Sequence, residues 1–366
     1  MKIRHVSVAV LAIALVAPAC SDDSSAPAAT RSPATTDAPR TTASGTTGTA
    51  APATTAGGTT GTAAPATTAG ATTGPIDITD IVFSKRDGDC AAYDATYVAF
   101  VDDLTRNVMF EAGVTITADA DACILTTNGI PNHDFDDASA MFADPVAEVP
   151  GTYTIPRHPQ PAARPTALSQ RSYDGVMLNG VPIDLLSAGC YRPDDPMADA
   201  NGNVQIGCFG DVDWLLDPLG VEGAFGADEH NAHTQPGGLY HYHGNPMALF
   251  DDSPGPDGSP VIGFAADGFP IFGSYFLDPD TGQVRKAESG WSLEAGTRPT
   301  GDGNPGGTYD GTYVQDYEYT GDGDLDECNG MTVDGQYGYY VTDAYPWILG
   351  CLTGTPDPSF DKGPGG

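Results

Sequence analysis

The chain has 366 residues, 15 Lys and Arg against 49 Asp and Glu, and a formal net charge of −34 with His neutral. That charge repels phosphate backbones and anionic lipid, which excludes nucleic acid as a partner, and it favours divalent cations. The 46 Gly and 31 Pro imply extensive loops, and no long stretch carries a helical period.

Lys2 and Arg4 precede an apolar run from Val6 to Val16, too short to span a bilayer and typical of a secretory signal. The run ends in Ala17-Pro18-Ala19-Cys20. Ala-Pro-Ala reads as an ordinary small-residue cleavage site. The junction also resembles that of a bacterial lipoprotein, in which Cys20 is the lipid-modified first residue, although Ala17 stands where Leu is more usual. Parity favours lipidation: of seven cysteines, six remain once Cys20 is set aside, an even set for an exported domain. The expected organisation is a lipoprotein-type signal over 1–19, a tether over 20–75 and a domain over 76–366. The chain would then sit outside the cell membrane, touching it only through the lipid, or be secreted if the cleavage is plain.

Residues 21–75 are Thr, Ala, Gly, Ser and Pro with almost nothing to bury, so ordering entropy goes unmet and a disordered tether is expected. GTTGTAAPATTAG at 45–57 recurs verbatim at 58–70, a low-complexity duplication without a core. As a flexible chain the tether would hold the domain roughly 40 Å from its anchor on average. Residues 76–366 hold 11 of the bases and 46 of the acids, a net −35. An acidic, solvated exterior accounts for most of that charge.

Strand signals dominate this domain. Val108–Phe110, Val114–Thr117 and Cys123–Thr127 are short, β-branched or aromatic, and bounded by Gly or Asp. Asn179-Gly180 between Val176–Leu178 and Val181–Ile183 predicts a hairpin, with Pro182 demanding an edge or a short second arm. Val261–Ala265, Asp267-Gly268 and Pro270–Tyr275 repeat that logic. Tyr309–Tyr319 and Tyr337–Thr342 read as further strands, and 212–216 as at most one turn of helix. The expected class is all-β. Six cysteines allow 15 pairings; joining neighbours, Cys90–Cys123, Cys190–Cys208 and Cys328–Cys351, closes loops short enough to form easily.

Four of the domain's six histidines crowd into residues 230–243. In a strand, His241 and His243 share one face, with Cα atoms about 6.6 Å apart, so both rings can reach one metal ion; Tyr240 and Tyr242 then face the other way. A three-residue loop at Pro236-Gly237-Gly238 sets His233 directly opposite His241, whereas a two-residue loop at Gly237-Gly238 turns His233 to the wrong face. The three-residue loop is the expectation here.

Tyr240-His241-Tyr242-His243 resembles the signature of the YHYH-domain family of extracellular proteins. Further blocks resemble that family in its order over roughly 105–355: Thr127–Asp134, Leu178–Pro182, Gly263–Gly273 and Leu325–Gly330. The resemblance singles out His133, His233, His241 and His243 as metal candidates, but not His230. It also singles out Asp326 and Glu327, which become ligand or general-base candidates if their loop folds over the histidine face. Asp228 and Asp267 are further carboxylate candidates, as ligands or as groups orienting the imidazoles, although Asp267-Gly268 also suits a turn. The resemblance supplies positions but no reaction.

Neutral imidazoles suit Zn, Cu, Ni or Fe, and three His with an open position would be a catalytic zinc or a copper arrangement, so Zn and Cu are the leading candidates. Asp322, Asp324 and Asp326 resemble an oxygen-ligand calcium loop, and 199–203 is a weaker match, but the Gly and twelfth-position Glu of an EF-hand are missing. Gly238–His243 is echoed by Gly335–Tyr340, with Gly338 in place of a histidine. The functional expectation is a surface-anchored domain binding Zn or Cu, acting as a metal-dependent hydrolase or oxidoreductase on an extracellular small molecule or polymer. The alternative is a non-catalytic adhesion module with structural histidines and calcium-binding acidic loops.

Overall fold

A computed structural model describes residues 74–140, 142–210, 212–220 and 226–363. The signal over 1–19, Cys20 and the tether repeat lie outside the described residues. The architecture is all-β, and among the described residues the only helical pieces are three short 3-10 turns. No helix among them is long and apolar enough to cross a membrane.

The first sheet has five strands in chain order, Ile76–Asp77, Ala95–Asp103, Val108–Ala118, Ala122–Thr127 and Gly151–Pro156. The first pair is parallel and the rest antiparallel. Val108–Ala118 alternates faces, burying Ala112, Val114 and Ile116, as a half-buried strand should. The break expected at Gly113 does not occur. Its N–H donates to the Asn128 side chain at 2.9 Å, and the space beyond its Cα is open, so the strand runs through.

The second sheet has eight strands in the order Ala232–Thr234, Tyr240–Tyr242, Pro182–Ile183, Gly175–Met177, Val261–Ala265, Pro270–Phe272, Gln336–Tyr340, Gly330–Val333. It consists of four hairpins, and its two halves repeat each other. Gly175 faces Ile183 as Gly263 faces Ile271, and Val176 faces Pro182 as Phe264 faces Pro270. Tyr242 lies parallel to Ile183 as Tyr339 does to Ile271. His233 faces His241 as Met331 faces Gly338. The halves join where Val176 faces Phe264, with Gly263 opposite Met177 and Ala265 opposite Gly175, a pairing symmetric about that point. Pro182 is therefore not on an edge. It opens a two-residue arm, where its missing N–H is least needed.

The first three hairpins turn through three-residue loops closed by a glycine in the left-handed region. The third position of that device matters for packing. A Cβ on Gly180 would meet Thr127 and Val114 of the first sheet, and one on Gly268 would meet Pro156. Both turns thus seat the second sheet on the first, over a core that includes Val114, Leu125, Ile155, Val176, Phe264 and Tyr339. The cysteines pair as Cys90–Cys123, Cys190–Cys208 and Cys328–Cys351. Two expected elements differ. Tyr309–Tyr319 is a loop and a 3-10 turn at Val314–Asp316, and only Tyr317–Tyr319 is strand, paired with Trp291–Leu293. Leu215 and Leu216 lie in isolated bridges to Cys190 and Tyr313, so there is no helical turn there.

Candidate metal centre

The edge hairpin sets the site. Gln235-Pro236-Gly237-Gly238 closes through Gly238 N–H donating to Gln235 C=O at 3.0 Å, with Gly237 and Gly238 both at positive φ. This three-residue loop brings His233 opposite His241. His233, His241 and His243 converge. His243 Nε2 lies 3.0 Å from His233 Nε2 and 3.1 Å from His241 Nε2. Three nitrogens ligating one ion at about 2.0–2.1 Å would stand roughly 3.3 Å apart in tetrahedral geometry. A neutral imidazole nitrogen either donates or accepts in its ring plane. Without an ion, His243 Nε2 would at best share one lone pair between two donors, whereas a cation satisfies all three rings together.

Burial holds His241 and His243 in the neutral form. His241 is pushed down to about 4 by burial, and the Leu239 carbonyl, 3.3 Å from its Nδ1, only partly opposes the shift. That carbonyl accepts from Nδ1–H, which leaves Nε2 with its lone pair toward the cluster. His243 is held well below its ordinary value by burial first, then by His233 and His241, with the Asp184 backbone opposing. Imidazoles that stay neutral at physiological pH are the form a metal requires.

The fourth histidine candidate, His133, is not in this cluster. It lies on the tyrosine face, where its Nδ1 donates to the Asp134 carbonyl at 2.7 Å and its Nε2 accepts from Tyr242 Oη at 2.6 Å. Tyr242 Oη in turn accepts from Asn179 Nδ2 at 2.9 Å. His230 is half-buried rather than exposed, its ring 3.8 Å from that of His133. Tyr240 and Tyr242 are fully buried on the face opposite His241 and His243.

The carboxylate candidates are engaged elsewhere, in pairs that the repeat explains. Asp228 caps its own turn through His230 N–H and accepts from Tyr240 Oη at 2.8 Å. Asp326 does the same through Cys328 N–H and Tyr337 Oη at 3.0 Å. Asp267 accepts from Tyr339 Oη at 2.6 Å, the counterpart of the Asn179–Tyr242 contact. Asp326 and the exposed Glu327 adjoin the far edge strand, Gly330–Val333. Seven strand spacings, roughly 30 Å, separate the two edges. They do not fold over the histidine face. Asp324 forms a two-pronged pair with Arg285 at 2.7 Å, and Asp199 caps its own loop at Asn201 and Asn203, so neither acidic loop gathers oxygens round an ion. Among the described residues one further group, Asp89, Cys90 and Cys123, clusters in the manner of ligands. Its sulfurs form a disulfide and offer no thiolate.

A family model described as "YHYH protein" matches residues 152–354, over half of the chain. The chain belongs to the YHYH family. The three converging histidines lie inside the matched segment and His133 outside it. No curated protein and no solved structure matches the chain.

In this YHYH domain the sequence reading missed Asp184 and Lys362. Asp184 follows Ile183, and its N–H donates to the Tyr242 carbonyl at 3.0 Å, which places it beside the histidine strand. It is buried, with Oδ2 2.5 Å from Lys362 Nζ and Oδ1 without a hydrogen-bond partner. Burial first, offset by Lys362, raises its pKa. Neighbouring Asp174 is pushed up to about 8, by burial first and then by Asp184. Both Asp184 and Lys362 line the cavity that the three histidines open into. Aligning GVMLNGVPID at 175–184 with GFAADGFPIF at 263–272 would have flagged Asp184, because the fold accepts Phe272 in its place.

Proposed function

We propose that this domain is a metal-binding module of an exported protein, holding one Zn²⁺ or Cu²⁺ through Nε2 of His233, His241 and His243 and presenting it to a small molecule. The observation that carries this reading is the convergence of three imidazole nitrogens, two of them on buried rings, at the wall of a cavity of about 380 Å³. Three protein ligands with an accessible side is the arrangement of reactive rather than bracing sites. A bound Zn²⁺ would supply Lewis-acid polarisation and a bound Cu²⁺ a one-electron couple. A hydrolase or an oxidoreductase follows according to which ion is native.

The chain's own residues then have distinct tasks. Leu239 and the Asp184 backbone orient the imidazoles. Tyr240 and Tyr242 fix the strand from its other face through Asp228, Asn179 and His133. Three disulfides fit an exported chain, and lipidation at Cys20 with anchoring outside the membrane belongs to this proposal. Metal analysis of untagged protein should find one Zn or Cu per chain, lost on His241→Ala/His243→Ala substitution with the β-sheet circular dichroism retained. Metal-free protein that takes up neither ion would overturn the reading.

A further inference from the structure

The cavity beside the histidines is polar at one end and apolar at the other. Its floor is His233, His241, His243, Asp184 and Lys362. Its outer wall is Leu186, Ile206, Phe209 and Pro236. Ile206 and Phe209 are 45% and 59% exposed and line the same cavity. They are carried by a fixed wall. Ile206 lies inside the Cys190–Cys208 loop, and the Gln170 amide donates to the Ser187 and Cys208 carbonyls, both at 2.6 Å.

The repeat shows that the fold does not need this opening. In the other half Phe272 takes the position of Asp184, and its ring stacks on Tyr340, the counterpart of His243, with centroids 5.1 Å apart. A Cβ on Gly338, the counterpart of His241, would stand 2.5 Å from the same ring, and Arg86 covers it at 5.2 Å. That half is plugged; the histidine half is open.

The Lys362 ammonium is matched by Asp184 and also donates to the Gln170 carbonyl at 3.2 Å. The floor therefore has no spare side-chain cation, and the positive charge a ligand would meet there is that of the ion itself. The wall offers apolar contact and the histidine end offers a ligand position. Benzene fills a cavity of about 150 Å³, so about 380 Å³ holds a ring or short chain with its polar head.

We propose that this cavity takes a small compound with an oxygen donor that would ligate the ion held by the three Nε2 atoms and an aryl or short acyl body against Leu186, Ile206, Phe209 and Pro236. The inference rests on the metal reading above, and its test separates the two. The full chain is loaded with Co²⁺, and its visible spectrum is titrated with benzohydroxamic acid and with acetohydroxamic acid. The two probes share a metal-binding head and differ in the apolar body. Benzohydroxamic acid should bind about tenfold or more tightly than acetohydroxamic acid. In Ile206→Ser/Phe209→Ser, whose altered side chains are exposed, that preference should fall to about twofold or less with acetohydroxamic acid unchanged. Equal affinity for both probes, or a preference untouched by the double substitution, overturns the inference and leaves the metal reading standing. A chain that gives no Co²⁺ spectrum overturns the metal reading, and this inference with it.

Discussion

His133 provides a quantitative prediction that is independent of any metal. Its Nδ1–H donates to the Asp134 carbonyl, so Nε2 is the acceptor of the Tyr242 hydroxyl proton, and Tyr242 Oη accepts from Asn179. A proton added at Nε2 would make both atoms of this pair donors, and the Tyr242 hydroxyl would have to turn away from His133 to accept it. Burial, the largest cause, with His230 adding to it, pushes His133 from 6.5 down to about 3. The folded-state value lies below the unfolded one, so between these limits the unfolded chain binds the proton more readily. The contribution is therefore complete above pH 6.5 and is lost as the pH falls toward 3. At pH 5.0, 1.5 units below the unfolded value, the loss is about 2 kcal/mol. Urea unfolding of metal-free protein at pH 7.5 and 5.0 measures it. Wild type should lose about 2 kcal/mol more between these conditions than His133→Gln, which keeps an acceptor for Tyr242 but does not titrate. The other acid-sensitive groups, His241 and Asp174 among them, cancel in that difference. Equal losses in the two proteins would refute the neutral, buried imidazole and its hydrogen-bond chain.

Three other outcomes follow from the same contacts. Tyr242→Phe strands His133 Nε2 in the core, leaves Asn179 Nδ2 with Asn132 alone, and should cost about 2–3 kcal/mol in chemical denaturation, without reducing metal stoichiometry. Lys362→Met leaves Asp184 buried without its cation and should destabilise by about 3–5 kcal/mol, most of which Asp184→Asn/Lys362→Met recovers in the same assay. Cys190→Ser/Cys208→Ser should lower stability by about 3 kcal/mol yet keep one metal per chain, because that loop forms the cavity wall and supplies no ligand.

The all-β class and the disulfide pairing could be read from short β-branched runs and neighbouring cysteines. The clustering of three histidines was readable where residue type and register coincide: Pro236-Gly237-Gly238 sets the loop length, and the loop length sets the face of His233. What escaped depends on contacts distant in sequence. Ala95–Asp103 is a nine-residue strand without a turn signal at its start, and Val108–Ala118 runs through a glycine that a partner strand holds in place. His133 was grouped with the other three by the family resemblance, yet a tyrosine hydroxyl holds it on the opposite face. Asp228 and Asp326 look like ligands in isolation. Their equivalence in the two halves, each capping a turn and holding a tyrosine, identifies them as parts of the scaffold. Asp184 lacked any local signal, because a parallel pairing between Ile183 and Tyr242 is what brings it to the histidines.

X-ray absorption at the zinc edge of the zinc-loaded chain tests the centre most directly. The account predicts three imidazole nitrogens at about 2.0–2.1 Å and no sulfur, a pattern that changes on His233→Ala substitution and not on His133→Gln. Fewer than three imidazoles around the ion, or a spectrum altered by His133→Gln and indifferent to His233→Ala, would contradict it.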